Sequence, residues 1–386
     1  MQPHAQQTRE QIATESVVLL VQDTTEIDLS HRAKMSGVGQ IGNAKGRGIL
    51  LQTVLAVLPQ TRAVLGCIAQ KPFVRIPAPA KEQRYQRRHR EHRETDGWME
   101  MVKFVGSPPA EGMLVHVGDR GAERFPFFRA CLSTKTHFVV RAAQNRRVEA
   151  EEEEIGHLLD LVRRWQSWDQ QPFEVPQSHG RQGRQTPLQI SFGPAHLLPP
   201  WNDPRGSKEP LALWVVRVWE EEGPEGEEAL EWIVLTDLPT LSTEHAWERA
   251  CWYRCRWVVE EYHQGLKTGC RIEERQGQTT ERLIRLLGCL SPIAVRLLQR
   301  RDLSRQEPER PASEVIEQQA LAILSAHAGR SPSSMTLGSF WTEVARMGGY
   351  LARRGDGPPG WKTLWKGWLQ LQTLLEGVHL ASHLRW

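Results

Sequence analysis

The stretch WYRCRWVVEEYHQGLKTG places Tyr253, Arg256, Glu260 and Lys267 at intervals of three, four and seven residues. On an ideal helix with Arg256 at zero, Tyr253 falls at about 60°, Glu260 at about 40° and Lys267 at about 20°. The four therefore share one arc. Trp252, Cys255, Val258, Val259, Tyr262 and Leu266 occupy the neighbouring arc, from about 200° to about 320°, and are expected to be buried. A carboxylate, two cations and a phenol would then line the rim of a packed helix, held rigidly yet open to solvent or substrate. Taken alone, Arg256 and Glu260 are an ordinary i to i+4 pair worth a few tenths of a kcal/mol. Two further carboxylates stand where apolar runs end, Asp23 after SVVLLVQ and Asp119 after MLVHVG.

The elements that must position these groups read as an α/β protein with strand and helix order β-β-β-α-β-α-β at the front. SVVLLVQ opens the first strand, which is expected to stop at Asp23. GRGILLQTVLAVLP (46–59) and RAVLGCIAQKPFVR (62–75) complete an antiparallel meander, GWMEMVKFVG (97–106) is helical, and HFVVRAAQ (137–144) is a further strand. EEEEIGHLLDLVRRW (151–165) reads as an acidic-headed helix. FEV, PLQISF, LALWVVRVW and EWIVLT then form a small β unit inserted before a mostly helical remainder. The expected divisions are a tail over 1–15, a core over 16–145, the insertion over 146–241, the rest of the core over 242–300 and a helical region over 301–386.

Composition narrows the class. The 386 residues are 39% hydrophobic and 25% charged, and the longest apolar runs fall short of the roughly 18 residues a membrane helix needs. The beginning, MQPHAQQTREQIATES, has no signal-peptide character, so a cytoplasmic protein is expected, with no membrane partner. Cysteines 67, 131, 251, 255, 270 and 289 show no paired zinc spacing; Cys251, Cys255 and His263 could be grouped as a metal cluster, but single buried thiols are the simpler reading. The net charge of +3 is small, so clustering matters more than the sum. KEQRYQRRHREHRETDG (81–97) carries Arg84, Arg87, Arg88 and Arg90, a basic run that is either a DNA contact or a solvated face.

Tyr253-x2-Arg256-x3-Glu260-x6-Lys267 resembles the YREK signature of bacterial insertion-sequence transposases with a DDE, ribonuclease H-like core, in the cut-and-paste subgroup that excises DNA through hairpin ends. VQDTTEIDLS, HVGDRGAE, GCRIEERQ, SPIAVRLLQ and GWKTLWKGWLQL resemble further blocks of that family in family order, over roughly residues 15 to 380. The resemblance implies a ribonuclease H-like, retroviral-integrase-like mixed sheet with an inserted β subdomain and a C-terminal helical region. It implies Asp23, Asp119 and Glu260 as the catalytic and metal-binding triad. Phosphodiester hydrolysis without a covalent intermediate calls for two divalent ions about 3.5 to 4 Å apart, so two Mg²⁺ are expected, with Mn²⁺ as substitute. Arg256, Lys267 and Tyr253 would contact phosphates, and Trp232 would stack on an extruded base, although a strand tryptophan is also a common core residue.

Partners implied are double-stranded DNA, both transposon ends and target, and a second copy of the chain. The stripe Trp361, Trp365, Trp368, Leu371, Leu375 and Val378 reads either as core or as a dimer surface. The protein would lie in the bacterial cytoplasm, on the nucleoid when bound to DNA. Members of the family carry an N-terminal end-recognition domain that the fifteen residues before the first strand are too short to form. A regulator that pairs with full-length transposase is therefore the alternative function, and a nuclease for structured nucleic acid a second enzymatic one.

Overall fold

The computed structural model describes residues 1–42, 45–76, 79, 81–83, 86, 94–149, 155–175, 183–200, 209–353 and 356–383. Among them, twelve strands form one mixed sheet. Strand β1 (Val17–Asp28) is its organiser. It pairs antiparallel with β3 (Gly46–Val57) from Leu19–Val57 to Asp28–Gly48, and parallel with β5 (Met113–Gly118) from Val17–Met113 to Val21–Val117. The outer edge of β3 takes the short β2 (Gly39–Ile41) and β4 (Val64–Phe73). Strand β5 also pairs parallel with β6 (His137–Arg141).

Asp23 does not end its strand. The apolar run stops there, but β1 continues five residues further because β3 keeps supplying antiparallel hydrogen bonds after β5 has turned away. The polar residues that suggest an end, Gln22 and Thr24, are placed on the opposite face by the alternation of side chains.

The strands expected as an insertion share the sheet of the core. Strands β7 (Arg147–Glu149), β8 (Ile155–His157), β9 (Asp169–Val175), β10 (Arg184–Leu197), β11 (Leu211–Glu220) and β12 (Glu231–Thr236) extend the same sheet, since β12 pairs directly with β6. Within the anticipated helix 151–165, residues 151–154 lie outside the described residues, and the rest is β8 followed by a short helix over Leu158–Val162. Residues 2–12, anticipated as a tail, form a helix. It carries little apolar pattern and is held largely by polar contacts: the Cys67 N–H donates to His4 Nε2 at 3.1 Å, and Arg9 Nη1 donates to the Val105 carbonyl at 3.0 Å.

The helices are numbered α1 (Gln2–Ile12), α2 (Asp96–Val105), α3 (Phe125–Ser133), α4 (Leu158–Val162), α5 (Thr243–Arg254), α6 (Trp257–Gln264), α7 (Thr280–Gln306), α8 (Gln318–Ala328), α9 (Leu337–Met347) and α10 (Trp361–His383). Alternation divides them between the two faces of the central strands. Leu19, Val21, Val115 and Val117 pack in one core with Val258, Val259 and Tyr262 of α6, while Val18, Leu20 and Leu114 pack on the other face with Ile12 of α1 and Met101 and Val105 of α2. The expected boundary at residue 300 falls inside α7, which runs unbroken past Pro292. The C-terminal stripe divides: Trp361, Trp365 and Leu371 are core, whereas Val378 is exposed, together with Leu374 and Leu380.

Candidate active site

Asp23 continues the parity of Leu19 and Val21, and Asp119 that of Val115 and Val117, so both carboxylates lie on the face covered by α6. They stand two residues beyond the last bonded pair, Val21 and Val117, on strands that run about 4.8 Å apart. This is the carboxyl end of a parallel pair, where open α/β sheets leave a crevice. Gly118 makes the sharp exit from β5 possible, because a Cβ there would come within 2.5 Å of Ala122 Cβ. The turn that follows fixes Asp119, whose Oδ1 accepts from the Gly121 N–H at 2.7 Å. Asp23 Oδ1 accepts from the Thr24 N–H at 2.8 Å.

Burial, and then the charge of Asp119, push the Asp23 carboxyl up to about 7; the Thr24 N–H and Arg256 act against this, and Glu260 adds to it. Glu260 on α6 thus belongs to the same electrostatic neighbourhood. Its own oxygen Oε1 accepts from Arg256 Nη1 at 2.7 Å, and that nitrogen is 3.8 Å from Asp23 Oδ2. Among the described residues, no three His, Cys, Asp or Glu side chains are grouped so as to hold a metal ion. Asp23 and Asp119 offer the hard oxygen donors that suit a magnesium-type ion. In this arrangement Glu260 is paired with Arg256 and is not grouped with Asp23 and Asp119.

The single helix read from 253 to 267 is three segments. Helix α5 ends at Arg254, α6 begins at Trp257, and residues Gly265–Gly269 form a π turn closed by the Cys270 N–H on the Gly265 carbonyl at 2.9 Å. The buried arc holds nonetheless: Trp252, Cys255, Val258, Val259, Tyr262 and Leu266 are all buried. The polar arc does not. Tyr253 is 4% and Arg256 8% exposed, so neither lines an open rim. Tyr253 packs against Trp232 of β12 with ring centres 6.2 Å apart, and Trp232 meets Phe173 edge-on at 5.5 Å. Trp232, Tyr253, Arg256, Glu260 and Asp23 are therefore brought into one neighbourhood. Lys267, on the π turn, acts on Asp28 and His263 rather than on the carboxylate pair. Arg84, Arg87, Arg88 and Arg90 lie outside the described residues.

Sequence reasoning missed the polar network that seats α6. His263 Nε2 lies 3.1 Å from Thr53 Oγ1, and Thr53 is the residue opposite Asp23 on β3. Gln70 of β4 donates to Tyr262 Oη at 2.8 Å and accepts from Ser291 Oγ at 2.7 Å. These side chains bolt the Glu260 helix to the strands behind Asp23. His263 is visible in the sequence, but its partners are distant in the chain. The proposed Cys251–Cys255–His263 metal cluster is absent: Cys255 Sγ approaches the Cys251 carbonyl at 3.5 Å, and His263 faces Thr53.

Residues 292–385 match the family described as the Transposase Tn5 dimerisation domain. A solved structure titled "Cryo-EM structure of piggyBac transposase synaptic complex with hairpin DNA (SNHP)" is similar at 11% sequence identity with a TM-score of 0.36. That likeness covers 94% of this chain and 59% of the other, so this chain spans less than two thirds of the length of the protein it matches.

Proposed function

We propose that this chain carries the catalytic core of a DNA transposase of the DDE type, with a ribonuclease H-like arrangement and a C-terminal dimerisation region. The observation that carries the reading is the placement of Asp23 and Asp119 side by side at the carboxyl end of two parallel strands, with Glu260 on the helix covering that face. The match of residues 292–385 to a transposase dimerisation domain supports it from an independent part of the chain. Asp23, Asp119 and Glu260 would hold two divalent ions, Mg²⁺ or Mn²⁺. When bound, such ions activate the attacking oxygen and stabilise the leaving one.

The side chains around the triad have separable tasks. Asp23 and Asp119, anchored by the Thr24 and Gly121 amides, keep their outer oxygens aimed along the strand ends. Arg256 offers a guanidinium to a phosphate beside the cut, where two parallel hydrogen bonds fix the strand. Lys267, at the level of Asp28, would reach a neighbouring phosphate. The half-buried Trp232, backed by Phe173 and Tyr253, presents a face on which an extruded base can stack, which suits hairpin formation during excision. Tyr253 serves first as the floor under Trp232. A second copy of the chain would dock along the distal half of α10, where Leu374, Val378 and Leu380 are exposed.

The test is conversion of supercoiled plasmid to nicked and linear forms in Mn²⁺. Asp119→Asn should lower the rate at least about 100-fold while near-UV dichroism stays that of the parent. A variant that cuts as fast as the parent sinks the triad. A parent chain that dimerises yet never cuts points instead to the regulator that pairs with full-length transposase.

A further inference from the structure

We infer that Arg256 is the resident counter-ion of the carboxylate set in the DNA-free protein, and that it must release Glu260 before the set can close around a divalent cation. The inference rests on the DNA-cleaving reading above and adds to it a coupling between DNA and ion. One nitrogen, Arg256 Nη1, stands between two of the three carboxylates, 2.7 Å from Glu260 Oε1 and 3.8 Å from Asp23 Oδ2. The first is a hydrogen bond; the second is too long for one but close enough for attraction. Carboxylates that repel one another at a partly desolvated place favour a nearby positive charge, and Arg256 is a cation the structure puts beside Asp23 and Glu260.

The pairing is built to be exchanged. Arg256 is buried, but its Nε has no hydrogen-bond partner, and the flat of the guanidinium rests on the Trp257 ring at 4.5 Å. The fork that could grip a carboxylate with two parallel bonds is thus used with one. Its partner Glu260 is 43% exposed at the side chain, and Arg256 holds it by a single hydrogen bond. A DNA phosphate offers the same fork two oxygens. Moving the arginine onto phosphate would free the Glu260 oxygen and remove a positive charge from the place where the divalent cation binds. DNA and cation should then strengthen each other's binding, by the same factor in both directions.

The experiment measures Mn²⁺ binding directly, by the electron paramagnetic resonance signal of free Mn²⁺, without reading cleavage. Without DNA, Arg256→Gln should bind Mn²⁺ about tenfold more tightly than the parent. Arg254→Gln, which removes a charge that sits over Phe173 instead, should change it by less than about twofold. A short duplex should tighten Mn²⁺ binding to the parent about tenfold and to Arg256→Gln hardly at all. The parent measurement with and without duplex needs no variant to fold. If duplex leaves the parent's Mn²⁺ affinity unchanged, or if a folded Arg256→Gln binds no tighter than the parent, Arg256 is not the competing cation. If Asp119→Asn binds Mn²⁺ as the parent does, the ion is not at these carboxylates, and both this inference and the functional reading fall.

Discussion

Helix α6 carries two glutamates in succession, and each meets an arginine, with opposite results. Glu261 Oε2 accepts from Arg301 Nη2 at 2.6 Å, and Arg301 also donates to Asp302 Oδ1 from Nε at 3.0 Å and from Nη2 at 2.7 Å. The guanidinium is capped by the Trp361 ring at 4.9 Å. Burial works against the charge of Arg301, but Asp302 and Glu261 more than restore it. Glu260, one residue earlier, has an arginine held by a single bond, with the next carboxylate at 3.8 Å. The first cluster is structural: its arginine is shared by two carboxylates and ties α6, α7 and α10 together, although Asp302 Oδ2 is buried without a hydrogen-bond partner. The second is left open, as a site must be if it is to accept something else. Adjacent residues of identical type thus differ in how fully their arginine is used, by three hydrogen bonds for Arg301 and by one for Arg256.

Breaking the Arg301 cluster should have the largest effect on stability. Arg301→Ala leaves Glu261 and Asp302 without their cation in a buried place and should cost about 3 to 5 kcal/mol, read as a lower urea midpoint at unchanged slope. Arg301→Lys should recover only part of this, because an ammonium cannot reproduce the fork. Equal stability of the Ala variant and the parent would show that the cluster is not the brace described.

Acid should weaken the seat of α6. Burial holds His263 down to about 3, with Lys267 adding to the effect, and burial alone holds His116 down to about 3. Both rings stay neutral in the folded chain, whereas unfolded histidine takes up a proton near 6.5. Stability is therefore complete above pH 6.5 and is lost as pH falls from there toward 3, by up to about 1.4 kcal/mol per pH unit for each ring. Urea midpoints measured between pH 7 and pH 5 should fall, and less steeply in His263→Gln than in the parent. A slope unchanged by that substitution would remove His263 from the account.

The smallest change is expected in the open cluster. Asp23→Asn removes a charge that burial and Asp119 both disfavour, so the variant should be more stable than the parent by about 1 kcal/mol at pH 8 while losing cleavage. A loss of stability there would mean that the site is better paired than its geometry indicates.

The strands, and the positions of Asp23 and Asp119 relative to them, were legible because both rest on local pattern. Apolar runs in VVLLV and MLVHV announce β1 and β5, and Asp23 and Asp119 follow each run at the same distance from their last bonded pair. The end of β1 was misplaced because its continuation depends on β3, not on its own residues. The break between Arg254 and Trp257 has neither proline nor glycine to announce it. The burial of Tyr253 and Arg256 is set by Trp232 and Trp257 packing over them, which a helical wheel cannot contain. Helix α1 was unreadable for a related reason, since only Ile12 and Thr8 of its residues are buried and its remaining ties to β4 and α2 are hydrogen bonds to distant backbone.

The π turn after α6 has a mechanical meaning. A Cβ on Gly269 would lie 2.2 Å from the ring of Trp365, and one on Gly265 would lie 3.3 Å from both the Trp361 and Trp365 ring nitrogens. The two glycines make a notch into which the tryptophans of α10 settle against backbone. Beyond Leu371 the same helix runs on for three turns, with Leu375 partly buried and Leu374, Val378 and Leu380 exposed. The near end of α10 is thus tied twice, to the turn that carries Lys267 by Trp361 and Trp365 and to α9 by Trp368, which stacks on Trp341. Whatever holds the near end of α10 in register therefore also holds the turn at the end of the Glu260 helix in place.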